Sequence, residues 1–349
     1  MSALCRRSRR PRLSAQPVSH RSAGGPGAEL TGAGSASSNG AVYWVAVCSV
    51  AVRSCRRSGG AAPLRHPGGH DEPVADDGYL LDNAQTEAGV RFRALAELFD
   101  PWTRRHLMET GLAAGWHCWE VGAGGPDLPV WLADRVGPAG RVVATDIDIG
   151  WLTGHPGFEA LRHDVAADAP PGSFDLIHAR LVLTHVPHRD AALAAMAGAL
   201  RPGGWLVLED ADPALQPLLC PEESGPAEVL GNRLRRGFRS LLAERGADLR
   251  FGRTLPRRLR EVGLRAVSAD AYFPMTGPAC AALERATVLQ VRDRMVAAGL
   301  ATEEEIAQHL ANVATGQMVL ATAPLITAWG QRAGSGPPHS AQLSARTRR

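Results

Sequence analysis

Glu120-Val121-Gly122-Ala123-Gly124-Gly125-Pro126 is the stretch from which the fold is read. The apolar, strand-like run Trp116–Val121 leads into it, and a helical pattern over Leu128–Val136 leads out. Glycine at such a turn lets backbone approach a ligand closely, and the helix start that follows offers N–H groups to a carboxylate or a phosphate. Taken alone, a glycine turn between strand and helix fits many α/β proteins, and some such turns bind nothing.

The alternation continues outward from this turn. Strand-like runs follow at Arg141–Asp146, Phe158–His163, Phe174–Ala179 and Trp205–Glu209, with a second helical pattern over Asp190–Leu200. Pro202-Gly203-Gly204 stops that helix and turns the chain into the fifth strand. Strands alternating with helices predict an α/β domain with a largely parallel sheet. Upstream, Ala84–Asp100 suggests a helix, and Pro101 is expected to start another over Trp102–Gly111 with Leu107 inward. Downstream, Val229–Arg245 carries Leu230, Leu234, Phe238 and Leu241 on one stripe and Arg233, Arg235, Arg236 and Arg239 outside it. Thr254–Val262 reads as a short helix and Leu264–Phe273 as a sixth strand. Cys280–Ala298 and Ala301–Val313 read as a helical pair, with Thr302 and Glu305 at capping-box spacing. Met318–Trp329 is the expected last strand, its Pro324 suiting an edge or a bulge.

Several acids and two histidines stand at or just past strand ends, where ligands of α/β sheets bind. Asp146 closes the second strand, 26 residues after Glu120, about one helix-plus-strand unit, and can accept both ribose hydroxyls of an adenosine cofactor. A helix N-cap is the other reading of Asp146, and Asp148 is a nearby competitor for the ribose. After the third strand, Asp164 can accept from an adenine amino group with Val165 against the ring. Past the fourth strand, His185 is the candidate general base, with His188, Glu209, Asp210 and Asp212 as alternatives.

Composition bounds the partners. Residues 1–70 carry ten Arg and one acid, and 332–349 carry four Arg and none, which leaves residues 71–331 with 24 Arg against 34 acids. An acidic body repels a polyphosphate backbone, so nucleic acid is not the expected substrate. All 38 basic residues are Arg, which excludes a Schiff-base lysine and a P-loop lysine. The six cysteines include no CxxC pair and no Cys/His cluster, so neither a zinc site nor any other metal is expected, and free thiols suit a reducing cytoplasm. Residues 1–78, rich in Arg, Ser, Gly and Pro, and residues 332–349 are expected to be disordered extensions around a domain at 79–331. The apolar run at 41–52 is too short to span a bilayer.

In order and spacing, the glycine turn, the second-strand acid, the third-strand Asp, Phe174-Asp175-Leu176-Ile177 and Leu200-Arg201-Pro202-Gly203-Gly204 resemble the class I S-adenosylmethionine (SAM) dependent methyltransferases, nearest to those acting on small molecules. The resemblance covers roughly 79–331 and is strongest over 116–212. It implies a Rossmann-like, doubly wound, seven-stranded sheet, mostly parallel with an antiparallel last strand, plus helical lid elements before Trp116 and between Phe273 and Met318. It implies SAM as cofactor, with Glu120, Gly122 and Gly124 shaping the methionine end of its site, Asp146 on the ribose, Asp164 on the adenine, and Arg180 facing the methionine portion or the substrate mouth. One departure is Pro126 at the family's third glycine, with Pro129 close behind. Together they remove N–H donors where the cofactor's carboxylate would sit. Two alternatives stay open: a non-catalytic member using the fold as a binding module, and a nicotinamide-dependent oxidoreductase, disfavoured because Asp127 stands at the third position of a GxGxxG turn.

Overall fold

A computed structural model describes Leu80, Leu81, Asn83 and residues 85–334. The expected extension at 1–78 and all but three residues of the tail at 332–349 lie outside them. Seven strands form one sheet in the order β3-β2-β1-β4-β5-β7-β6. They are β1 (His117–Val121), β2 (Arg141–Asp146), β3 (Glu159–Arg162), β4 (Phe174–Arg180), β5 (Leu200–Ala211), β6 (Arg265–Tyr272) and β7 (Leu325–Gln331). β1 to β5 run parallel, while β7 is antiparallel to both β5 and β6. The strand order reverses direction between β1 and β4, and the carboxyl ends at that switch point are where an α/β sheet opens a crevice.

The helices are α1 (Thr86–Glu109), α2 (Asp127–Val136), α3 (Arg189–Ala199), α4 (Pro226–Glu244), α5 (Leu255–Glu261), α6 (Pro278–Ala297) and α7 (Glu303–Ala314). Near-continuous apolar strands put β1, β2, β4 and β5 inside, as a sheet covered on both faces requires. One core joins Trp119, Phe174, Ile177 and Leu206 to Leu193 and Met196 of α3 and to Phe251, Leu255 and Leu259 around α5. The opposite core joins Cys118, Val142, Leu176 and Val207 to Leu107 of α1 and Leu128, Leu132 and Val136 of α2. A separate cluster unites Leu80 and Leu81 with Leu234, Leu241 and Leu242 of α4, Val288, Val291 and Met295 of α6, and Ile306 of α7.

Three elements differ from the sequence expectation. The helix break at Pro101 does not occur: α1 runs unbroken through it. An interior proline costs roughly 3 kcal/mol, and here Asp100 and Thr103 on either side are tied to Arg180 and Glu209 of the sheet. The last strand begins after Pro324 rather than at Met318. It lies between β5 and β6, where a residue without an N–H would leave a gap in the ladder. β5 begins at Leu200, and Pro202-Gly203-Gly204 forms an irregularity in its pairing with β4 rather than a separate turn. The capping box at Thr302 and Glu305 forms in both directions.

Candidate functional site

A cavity of about 380 Å³ opens at the carboxyl ends of β1, β2 and β4, within the size range of small-molecule sites. Its floor is the turn at 121–125, and Asp127 and Leu128 at the start of α2 continue it. Asp146 and Ile147 wall it after β2, and the loop at 163–166 walls it after β3. Arg180, Leu181, Val182 and the segment 185–187 line it beyond β4. Asn83, Arg91, Phe92, Leu95 and Ala96 close it from α1 and the residues before it, and Arg245 lines it from the end of α4.

The turn has the backbone that glycine permits. Gly122 and Gly124 both have φ of 62°, in the left-handed region where a side chain is strained. A Cβ at Gly122 would collide with Val182, and one at Gly124 would lie 2.7 Å from a ring carbon of Phe92. The floor is therefore shaped by the absence of side chains. Pro126 caps α2 rather than occupying its first turn, and Pro129 stands in the first turn, where its missing N–H breaks no helical bond.

Of the residues expected to hold a cofactor, Gly122, Gly124, Asp146, Asp164, Val165 and Arg180 all line this one cavity, and so does His185. Asp146 is nearly buried. Its Oδ2 accepts from Gly124 N at 2.9 Å, and its Oδ1 accepts from Asp148 N at 3.1 Å. This carboxylate thus braces the glycine turn from β2, and it caps no helix. Burial pushes its pKa upward against the pull of those N–H groups. Asp148 instead accepts from Gly150 N and does not line the cavity. Asp164 is exposed and accepts from Ala166 N at 2.8 Å. Arg180 donates to Asp100 and to Thr103 Oγ1 of α1, both at 2.9 Å, so it also locks α1 over the cavity.

Glu120 is the exception. It does not line the cavity, and its carboxylate accepts from His178 Nδ1 at 2.8 Å. Glu120 and His178 are register partners on β1 and β4. On the other side, His178 Nε2 lies 3.4 Å from Glu209 of β5, and Glu209 accepts from Thr103 and from Thr327 of β7. Burial alone would strip His178 of its proton, but the two flanking carboxylates overcome that and push its pKa up to about 9. The row is a buried brace under the site.

The alternatives to His185 as base are placed elsewhere. Glu209 is in that row, Asp210 accepts from both the N–H and the hydroxyl of Thr184, Asp212 binds Arg253, and His188 is on a shallow surface depression beside Asp190 and Arg258. Burial, reinforced by Arg91 and Arg189, lowers the His185 pKa to about 4. Of the expected lid, α1 covers the cavity and α6 and α7 contribute no lining residue. Among the described residues, no cluster of His, Cys, Asp and Glu could hold a metal, and no helix is long and apolar enough to cross a membrane.

Sequence reasoning missed Asn83, Arg91, Phe92 and Arg245, because no motif flags residues that reach a site from a covering helix or from the chain beside a helix end. It also missed the brace, although Glu120, His178 and Glu209 are each a charged or polar residue inside an otherwise apolar strand.

The family model described as a methyltransferase domain matches residues 78–295. A ubiquinone/menaquinone biosynthesis C-methyltransferase UbiE of Pseudomonas putida is 27% identical over 169 residues, 44% of this chain and 66% of that protein. Methyltransferase str3 of Strobilurus tenacellus is 35% identical over 89 residues, 25% of this chain and 29% of that protein. The chain thus spans under two thirds of the length of either curated relative. Among solved structures, phosphoethanolamine N-methyltransferase 2 of Haemonchus contortus, in complex with S-adenosyl-L-methionine, aligns with a TM-score of 0.45 and 12% identity over 75% of this chain and 61% of that one. With the family match over most of the folded region, and a seven-stranded sheet whose glycine turn and strand-end acids line one cavity, the chain belongs to the methyltransferase-domain family.

Proposed function

We propose that this protein transfers a methyl group from SAM to a small-molecule acceptor in the cytoplasm. The observation that carries the reading is the convergence of Gly122, Gly124, Asp146, Asp164, Val165 and Arg180 on one cavity of cofactor size. The residues fit the cofactor. Asp146 and Asp164 offer carboxylates at the β2 and β3 ends for ribose hydroxyls and an adenine amine, Val165 offers an apolar face for the ring, and the bare glycine turn leaves room for the methionine portion.

When bound, SAM supplies an electrophilic methyl on a sulfonium, open to in-line displacement. The chain's contribution is positioning, which is worth roughly 7–11 kcal/mol for a well-oriented pair. The brace beneath β1, β4 and β5 and the Arg180 tie to α1 fix the walls against which both reactants are held. His185 is neutral throughout the physiological range and can accept a proton. Its weakened basicity makes it a modest base, since proton-transfer efficiency falls as the base's pKa drops below the working pH. Enclosure by α1 and the acidic balance of the chain's body favour a small acceptor over a nucleic acid. The free, buried Cys118, Cys220 and Cys280 suit a reducing compartment.

The test is to incubate the protein and methyl-labelled SAM with a cell extract and fractionate by size. Label entering small organic molecules is the expected result. Label entering only protein or RNA would contradict the small-molecule assignment.

A further inference from the structure

The charges that line the cavity are sorted by side. Asp127, Asp146 and Asp164 come from the segments that follow β1, β2 and β3, the half in which the cofactor is placed. Beyond β4 the wall carries Arg180 and His185, with Arg245 from the end of α4 and Arg91 from α1. Among the described residues, no acid lines that half. The bias runs against the chain as a whole, whose residues 71–331 hold 24 Arg and 34 acids. Burial, and then the charges of Arg91 and Arg189, disfavour the protonated form of His185, so a positive field reaches this wall. A cleft lined by one sign of charge gathers small ions of the other sign.

The three lining arginines differ in how they are held. Arg180 is tied to Asp100 and Thr103, and Arg91 to Asn83. Arg245 is exposed, and among the described residues its side chain makes no hydrogen bond and no ion pair. Lining the cavity while open to solvent, it stands at the rim. Its backbone is nonetheless fixed. Gly246 N donates to Ala243 O and Ala247 N to Leu242 O, both at 3.0 Å, the hydrogen-bond pattern of a Schellman cap. The chain beyond the cap is stapled to the loop after β4, because Asp248 N donates to Thr184 O at 3.3 Å and Arg189 Nη2 to Gly246 O at 3.2 Å. A cation at a helix C-terminus also answers the helix dipole. That role needs no place on a cavity wall, whereas Arg245 shares this wall with Val182, Val186 and Pro187.

We propose that Arg245 binds the carboxylate of an acidic methyl acceptor whose apolar body lies along Leu95, Val182, Val186 and Pro187. One guanidinium fork matches one carboxylate bidentately. A phosphate dianion calls for more donors than a single rim arginine brings. The proposal rests on the SAM site described above, since a cofactor in the β1 to β3 half is what leaves the β4 half to the acceptor. It narrows the acceptor from a small molecule to a carboxylic acid. The carboxylate is the handle by which the acceptor is held at the rim, and the methylated atom lies elsewhere on the molecule.

The experiment divides the small molecules of a cell extract by anion exchange into an acidic fraction and a neutral and basic one. Each is incubated with the protein and methyl-labelled SAM. Expected is label entering the acidic fraction, on a product that anion exchange still retains. In Arg245→Gln the amount of acidic fraction needed for half-maximal rate is expected to rise at least about tenfold, with the maximal rate within about threefold of wild type. Arg245→Lys should recover part of that loss, and both variants should bind S-adenosylhomocysteine within about twofold of wild type. Label confined to the neutral and basic fraction, a product that has lost its negative charge, or an Arg245→Gln variant that saturates like wild type would overturn the proposal. A parallel loss of S-adenosylhomocysteine affinity would also overturn it, by showing that Arg245 serves the cofactor or the fold. If wild type labels no small molecule in either fraction, the proposed methyl transfer itself fails, a result distinct from these.

Discussion

The groups that decide the chemistry are set by what surrounds them rather than by their identity. Asp146 and Asp148 are two residues apart with the same side chain, yet only Asp146 enters the cavity, and it does so while bracing Gly124. His185 is a histidine in a place that disfavours its charged form, with its pKa lowered to about 4 by burial and by Arg91 and Arg189. A group with that pKa does not change charge between pH 5.5 and 8. The methyl-transfer rate, once an acceptor is known, is therefore expected to follow the acceptor's own ionisation across that window, with no enzyme step near pH 6.5. His185→Asn is expected to lower kcat by less than the ~10²–10⁴-fold typical of a strong general base. A rate profile with an inflection near pH 6.5 that disappears in His185→Asn would contradict this placement.

At the level of elements, the row Glu120–His178–Glu209 joins three adjacent strands through a charge that is completely buried. Its sign gives a pH dependence. The folded His178 pKa is raised to about 9 from an ordinary 6.5, so its contribution to stability is complete below pH 6.5 and is lost as pH rises through 9. The shift corresponds to about 3 kcal/mol. Denaturant melts between pH 6.5 and 9.5 are expected to show wild type losing stability as pH rises. His178→Gln should be weaker throughout and nearly flat over that range; a parallel decline in both proteins would show that the row does not hold the proton. The same row marks where sequence reading stops. The strands were legible because they are apolar runs between turns: β1 to β4 were found to within one residue at either end, while β5 starts five residues earlier than expected. The partners of Glu120 were not, because register between β1 and β4 is set by a pairing some 58 residues distant in the chain. Pro101 and Pro324 show both outcomes of one rule: the helix absorbs its proline where the sheet holds it on both sides, while the central strand starts beyond its own.

For the whole molecule, function depends on a sheet, a glycine turn and a covering helix meeting at one crevice. The sheet's contributions to that crevice were readable, since Gly122, Gly124, Asp146, Asp164, Val165, Arg180 and His185 follow strand ends in a known order. The covering side was not, since Arg91 and Arg245 come from segments with only helical periodicity to describe them, Asn83 precedes the first helix, and periodicity tells which face is buried and not what it is buried against. The central claim is that the crevice binds the thioadenosine of SAM with Asp146 as an essential contact. Isothermal titration of wild type and Asp146→Ala with S-adenosylhomocysteine tests it directly, with circular dichroism confirming that the variant is folded. The account predicts micromolar binding by wild type and no measurable binding by the variant. Equal affinity in the two proteins, or no heat of binding in wild type, would contradict it.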